Sequence, residues 1–497
     1  MNYTNPIIKG FHPDPSICLV GDDYYLVTSS FEYFPGVPIF HSKDLVNWTQ
    51  IGSCVKRMTE FPMVNVKDSG GIWAPTIRYH NGKFYVTATL EHYGNFIIST
   101  TDPAGDWSSP VWVPIGGIDP SIFFEDNRAY YCTNQSLHPG IEEIILVEID
   151  VETGRLLGEM NTIWSGIGGG FLEAPHIYHV GEWYYLMTAE GGTNFNHMIT
   201  LARSRSIWGP YESCPWNPIL TNAHDTSKEV QCSGHGDLFQ DHMGNWWMVH
   251  LAIRLSRRTM SNLGRETFLT PVMWQDGWIQ VGNNRKATID CNGPLWEEQK
   301  EIREWKANFY KLEWEPAWIF LRNPVETSYE RGEGILKLHP SSTKLSDGKN
   351  PTFAAICQRD FVCELEAAYS FEPLEVGDEA GIAIMLSSEF YYSIGKRKTS
   401  QGIVLAVDKY AEDLHEEAYV VQIGEGKVNI KVKANKEFYE FYYALNNEPY
   451  QLACKASTRF LSCEIAGKCF TGTVMGVYAV AFHRTNAIME VTNFKIK

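Results

Sequence analysis

The chain has 497 residues, 44% hydrophobic and 20% charged, which excludes a disordered protein and points to two or more cored domains. Its net charge of −17, with no basic run longer than Gly395-Lys396-Arg397-Lys398, argues against nucleic acid and for a neutral or small partner. No apolar run approaches the roughly 20 residues of a membrane span, so no membrane partner is expected.

The N-terminus, Met1-Asn2-Tyr3-Thr4-Asn5-Pro6, has neither the basic nor the apolar part of an export signal. The eleven cysteines include no C-x-x-C pair. Both features fit reduced thiols in a cytoplasm, which is the expected location.

Strand signals dominate from the start. In Gly82-Lys83-Phe84-Tyr85-Val86-Thr87-Ala88-Thr89-Leu90, residues Phe84, Val86, Ala88 and Leu90 share one face, the period of two of a half-buried strand. A larger unit then repeats: a small or acidic residue opens an apolar strand, a Gly, Asn or Asp turn follows, and a strand rich in Tyr or Trp returns. Asp14-Pro15-Ser16-Ile17, Ala74-Pro75-Thr76-Ile77, Asp119-Pro120-Ser121-Ile122, Ala174-Pro175-His176-Ile177 and Gly236-Asp237-Leu238-Phe239 begin the five copies. Five such units across residues 1–294 predict a five-bladed β-propeller. After Asn292-Gly293-Pro294 the pattern stops. Residues 295–307 read as a charged linker, with Leu295 to Trp305 the one helix candidate. From residue 308 to 497 a new alternating series, such as Ala380-Gly381-Ile382-Ala383-Ile384-Met385-Leu386, predicts a β-sandwich. The expected fold class is therefore all-β, a propeller followed by a sandwich.

In a propeller the innermost strands line a central channel, so equivalent positions converge there. Asp14 and Asp119 fill the same slot of their blades, where the second and fourth blades have Ala74 and Ala174 and the fifth has Gly236. One residue earlier stand Trp73 and Glu173. Asp before Pro is a common turn former, but two at one blade position plus Glu173 point to chemistry. Paired carboxylates suit glycoside hydrolysis, in which one delivers a proton and the other activates water or attacks the sugar. His176 and His179 have zinc-like spacing but, on a strand, share no helical face; no metal ligand is assigned.

These segments, His12-Pro13-Asp14-Pro15-Ser16, Trp73-Ala74-Pro75, Gly117-Ile118-Asp119-Pro120-Ser121 and Leu172-Glu173-Ala174-Pro175-His176, resemble glycoside hydrolase family 43. Phe31-Glu32-Tyr33-Phe34-Pro35-Gly36-Val37 resembles its β-xylosidase branch, some members of which also release α-L-arabinofuranose and which carries a C-terminal concanavalin-like sandwich. The resemblance implies an exo-acting, inverting hydrolase that releases xylose from the non-reducing ends of β-1,4-xylo-oligosaccharides, or one that is mainly an α-L-arabinofuranosidase. By matched position, Asp14 would be the general base, Glu173 the general acid, and Asp119 the residue that raises and orients Glu173. Phe31 and Trp73 would wall the sugar subsite, Arg265 would bond sugar hydroxyls near the base, and Phe470 would close the pocket from the sandwich. His235 would sit near the propeller axis, as a hydrogen-bonding spacer or as an approach to a calcium through water; no cofactor is required. Tyr33 stands where strict xylosidases often have Trp, which leaves the balance of activities open, as oligomeric state is left open. Invertase-like fructosidases, a non-catalytic sugar-binding propeller and an arabinanase are the rivals. Ile118 before Asp119, Ala174 after Glu173, the third carboxylate and the extra sandwich disfavour them.

Overall fold

A computed structural model describes the chain except at residues 226, 258, 302–303, 447, 468 and 484–486. Five sheets of four or five antiparallel strands follow one another from residue 16 to 281. Their innermost strands are Ser16–Val20, Ile72–His80, Ile118–Glu125, Glu173–Val180 and Val230–Gln240. Tight hairpins join the strands. Asn81 and Gly82, with φ of 48° and 84°, show the pair of positive dihedrals that such a turn needs. Apolar faces pack between blades: Val27 and Ile39 of the first meet Ile77, Val86 and Ile98 of the second. The ring is closed by the N-terminal segment, whose Asn5 amide accepts from Leu269 N–H and donates to Leu269 O, while Ile7 N–H donates to Thr267 O.

The slot read from the repeats is marked in the backbone. Asp14, Ala74, Asp119 and Ala174 all have positive φ, between 43° and 55°. The fifth member is His235, φ 43°, and not Gly236. Strand register agrees. The innermost hairpin slips between Trp73 and Thr76, between Ile118 and Ser121, and between Glu173 and His176. In the fifth blade the slips fall between Gln231 and Gly234 and between Gly234 and Gly236, so Gly234 takes the place of Trp73 and Glu173. The fifth repeat is thus aligned one residue earlier than the sequence predicts. Gly236 takes the Pro position, which hid the match. Each bulge turns one side chain toward the axis, and His235 joins the two aspartates there.

The helix expected over Leu295–Trp305 is absent among the described residues. Leu295 and Trp296 pack on the propeller layer that holds Tyr24, so tertiary burial accounts for their apolar character. Trp305–Lys306 already pairs with Lys495–Ile496 as part of the sandwich, inside the stretch read as linker. Two sheets, of six and eight strands, form that sandwich around Trp318, Leu336, Tyr369, Ile384, Phe441 and Phe494. Its strand Phe320–Leu321 pairs with Tyr33–Phe34 of the first blade. The buried Arg322 guanidinium clamps the seam, donating to Val66 O, Lys349 O and Asp68 Oδ1.

Candidate active site

Asp14 lies buried at the channel mouth. Ser29 Oγ donates to its Oδ2 at 2.6 Å and Arg265 donates to its Oδ1 at 2.8 Å. Burial alone would raise this carboxyl; Arg265, the His235 ring and Ser29 together outweigh burial and hold it below the ordinary carboxylate range. Asp14 is therefore ionised at neutral pH.

Glu173 differs. Burial first, then the charge of Asp14 and that of Glu142, raise it to about 7, although Arg265 pulls the other way. Asp119 is driven well above the usual range by burial and by the charges of Glu173 and Asp14. Asp119 and Glu173 repel one another reciprocally, so the pair retains protons near neutral pH. The Glu173 side chain is 18% exposed and that of Asp119 8%, so Glu173 is the one that can meet a substrate.

Arg265 is held between two rings, its guanidinium 5.3 Å from the Phe31 ring centre and 6.0 Å from that of Phe470. It also donates to Phe470 O at 3.2 Å. Phe470 comes from the sandwich, and its N–H donates to Ser69 Oγ across the seam. Trp73 stands half-buried in the same wall as Phe31, and its indole N–H has no hydrogen-bond partner among the described residues. The eight site residues predicted from sequence thus come together.

His235 bridges the aspartates, with Nδ1 3.6 Å from Asp14 Oδ1 and 3.8 Å from Asp119 Oδ2. Burial lowers its pKa, with the charge of Asp14 pulling the other way. Among the described residues, the side chains beside His235 are those two aspartates, not the six to eight oxygens that a directly held calcium takes. Arg78 donates to both oxygens of Asp237 and to His176 Nδ1. Ser16 and Tyr178 hydroxyls take up the remaining capacity of Asp237. Among the described residues, no group of three or more His, Cys, Asp and Glu side chains is gathered as a metal site.

Three contributors escaped the sequence. Ser29 follows no blade pattern. Glu142 accepts the N–H groups of Phe171 and Leu172 at 2.9 and 3.2 Å, fixing the backbone that leads into Glu173. His197 Nε2 lies 3.8 Å from Glu173 Oε1, and its Nδ1 is 3.3 Å from Cys232 O, the bond that makes Nε2 the free lone pair. A histidine in the loop just before the fourth-blade strand Met198–Ser204 gives no motif signal. Tyr33, read as a mark of sugar specificity, is 2% exposed and packs behind Phe31 against Phe11, away from the sugar wall.

A base held ionised beside an acid held protonated, in a walled pocket on a five-bladed propeller, is an arrangement that serves glycoside hydrolysis. Residues 3–279 match the family described as glycosyl hydrolases family 43, and residues 306–497 match the beta xylosidase C-terminal concanavalin A-like domain. The chain belongs to glycosyl hydrolase family 43. This family 43 enzyme is 37% identical over 495 residues to a non-reducing end alpha-L-arabinofuranosidase of Bacteroides ovatus, covering 96% of this chain and 91% of the relative. It is 30% identical over 515 residues to a beta-xylosidase of Bacillus subtilis, covering 96% of each. The crystal structure of a xylan beta-1,4-xylosidase from Bacillus halodurans superposes with a TM-score of 0.92 at 31% identity, covering 99% of both chains. The propeller, the concanavalin-like sandwich and the glycoside hydrolase activity follow.

Proposed function

We propose that the enzyme releases single xylose residues from the non-reducing ends of short β-1,4-xylo-oligosaccharides by inverting displacement, with α-L-arabinofuranosidase as a side activity. The observation that carries this reading is the opposed protonation of Asp14 and Glu173 within one pocket. Asp14, as base, takes a proton from a water that attacks the anomeric carbon. Glu173, as acid, gives its proton to the leaving oxygen, which departs as an alcohol. Arg265 and Ser29 keep Asp14 ionised, and His197 and Glu142 orient Glu173. Asp119 acts on the acid through charge and shares the proton load with it. Phe31, Trp73 and Phe470 supply apolar walls for the sugar, and the Phe470 closure favours action at chain ends. A second reading, mainly α-L-arabinofuranosidase, is favoured by the Bacteroides ovatus relative.

Hydrolysis of aryl β-D-xylopyranoside, aryl α-L-arabinofuranoside and xylobiose by one preparation separates the two readings. Failure on all three overturns both. The first-formed sugar should carry the inverted anomeric configuration by NMR; retention would remove Asp14 from the base role. Glu173→Ala should lose far less activity on substrates with good leaving groups than on xylobiose, because the former need little protonation. Equal losses would contradict the acid role. The proposed setting is a cytoplasm supplied with imported oligosaccharides; comparable activity on insoluble xylan and on xylobiose would count against it.

A further inference from the structure

Phe171 stands two residues before Glu173, is 66% exposed and has a φ of 53°. Both features work against folding. An aromatic ring left in water gains no burial, and a bulky residue in the left-handed region strains the backbone. Strain that is held in place beside a reacting group points to a use.

The strained residue is held firmly. Glu142 Oε1 accepts its N–H at 2.9 Å, and Gly170 O accepts from Gly191 N–H at 2.7 Å. Upstream, the buried Glu190 accepts the N–H groups of Ile167 and Gly169 at 3.0 and 2.8 Å. The glycine-rich stretch 166–170 is thereby pinned, and it presents Phe171 in one place. The ring lies against Gly192, where a Cβ would come 3.0 Å from Phe171 Cδ2. Gly192 belongs to a turn closed by Asn194 N–H to Gly192 O at 2.7 Å and by His197 N–H to Asn194 O at 3.0 Å. That turn ends at His197, whose Nε2 is 3.8 Å from Glu173 Oε1. The exposed ring and the histidine beside the acid therefore share one turn.

The acid protonates the leaving oxygen, so the leaving group must lie on the Glu173 side of the cleaved bond. Phe31 and Phe470 flank Arg265, on the Asp14 side. We propose that Phe171 is the platform on which the leaving-group sugar stacks, and so a specificity-determining residue for the second sugar of the chain. This rests on Glu173 acting as the acid. A ring offers apolar contact to the C–H face of a pyranose and makes no demand on its hydroxyls. The platform therefore selects a flat leaving group and tolerates changes in its substituents.

Phe171→Ala is compared with wild type on xylobiose, dinitrophenyl β-D-xylopyranoside and β-D-xylopyranosyl fluoride. The last two need little protonation, and only fluoride is too small to reach the ring. The substitution should lower kcat/KM about tenfold on xylobiose and on the dinitrophenyl xyloside, and less than about twofold on the fluoride. Phe171→Trp should restore both losses. Loss on xylobiose alone would mean that the ring only positions Glu173. Equal loss on all three would mean that it shapes the pocket of the cleaved sugar, and no loss would make it a spectator; each overturns the proposal. Phe171→Gly, whose backbone accepts a φ of 53°, should show the same losses with Tm unchanged or raised. A Tm lower by about 5 °C or more would make the ring a structural plug and would also overturn it. Wild-type enzyme inert on all three substrates overturns the parent reading and the platform together, whereas an active wild type matched by Phe171→Ala overturns the platform alone.

Discussion

Asp14 and Glu173 share a pocket, yet one is ionised and the other protonated near neutral pH, and the difference is local. Asp14 accepts from a guanidinium and a hydroxyl; Glu173 has a histidine lone pair at 3.8 Å and the charges of Asp14 and Glu142 nearby. The acid must be protonated to work, so kcat/KM should fall as pH rises through about 7, the alkaline limb of a bell-shaped profile. A limb that survives in Glu173→Gln would assign it to another group. The same raised pKa has a stability consequence. The folded protein binds this proton more tightly than the unfolded chain, so stability is lost as pH rises from the unfolded value near 4.5 through about 7. Glu173→Gln should therefore raise Tm relative to wild type at pH 8 more than at pH 5 while abolishing xylobiose cleavage. Ser29→Ala should act oppositely on the base. Losing one hydrogen bond to the ionised form raises the Asp14 pKa, and the acid limb should move up by about one unit. An unmoved limb would show that Arg265 alone sets Asp14.

At the scale of elements, the site depends on backbones that approach without side chains. A Cβ at Gly234 would meet the His197 ring at 2.3 Å, and one at Gly472 would meet Leu263 O at 2.2 Å. The first contact seats His197 beside Glu173. The second lets the loop carrying Phe470 lie on the strand end that leads to Arg265. Gly472→Ala should cost about 1–3 kcal/mol by overpacking and should raise KM more than it lowers kcat, because it moves the pocket wall and not the carboxylates. Denaturant unfolding and steady-state kinetics read both. An unchanged KM would place Phe470 outside the sugar site. Blade geometry explains why the carboxylates were legible at this scale: the positive-φ slot recurs every blade, so Asp14 and Asp119 match by eye. His235 was misaligned because Gly236 replaces the proline that marks the other four slots.

For the whole molecule, the two domains form one active site. The sandwich supplies Phe470, and Arg322 ties its first strands to Val66 and Asp68 of the propeller. Arg322→Met leaves Asp68 Oδ1 and the Val66 and Lys349 carbonyls without this donor, and should cost about 3 kcal/mol. It should also weaken substrate binding through the displaced seam; full activity at wild-type stability would show that the clamp is dispensable. Prolonged EDTA treatment followed by calcium should leave activity unchanged if, as the sequence leads one to expect, no cofactor is required. Loss on chelation with recovery on calcium would contradict that expectation.

By itself the sequence determined the repeat, and with it the five blades, the three carboxylates and the change of pattern near residue 294. These follow from periods of two, turn residues and recurring slots, all local features that any copy of the unit must carry. Only the tertiary structure decided the rest. Among the described residues the helix expected at Leu295–Trp305 is absent, and the apolar side chains of Leu295 and Trp296 find burial against the propeller. His197, Ser29 and Glu142 enter the site from loops with no distinguishing spacing, because their roles depend on which atoms they meet across blades. Which carboxylate is charged is likewise a property of the assembled pocket: burial and neighbouring charges arise only when residues far apart in the chain are packed within a few ångströms.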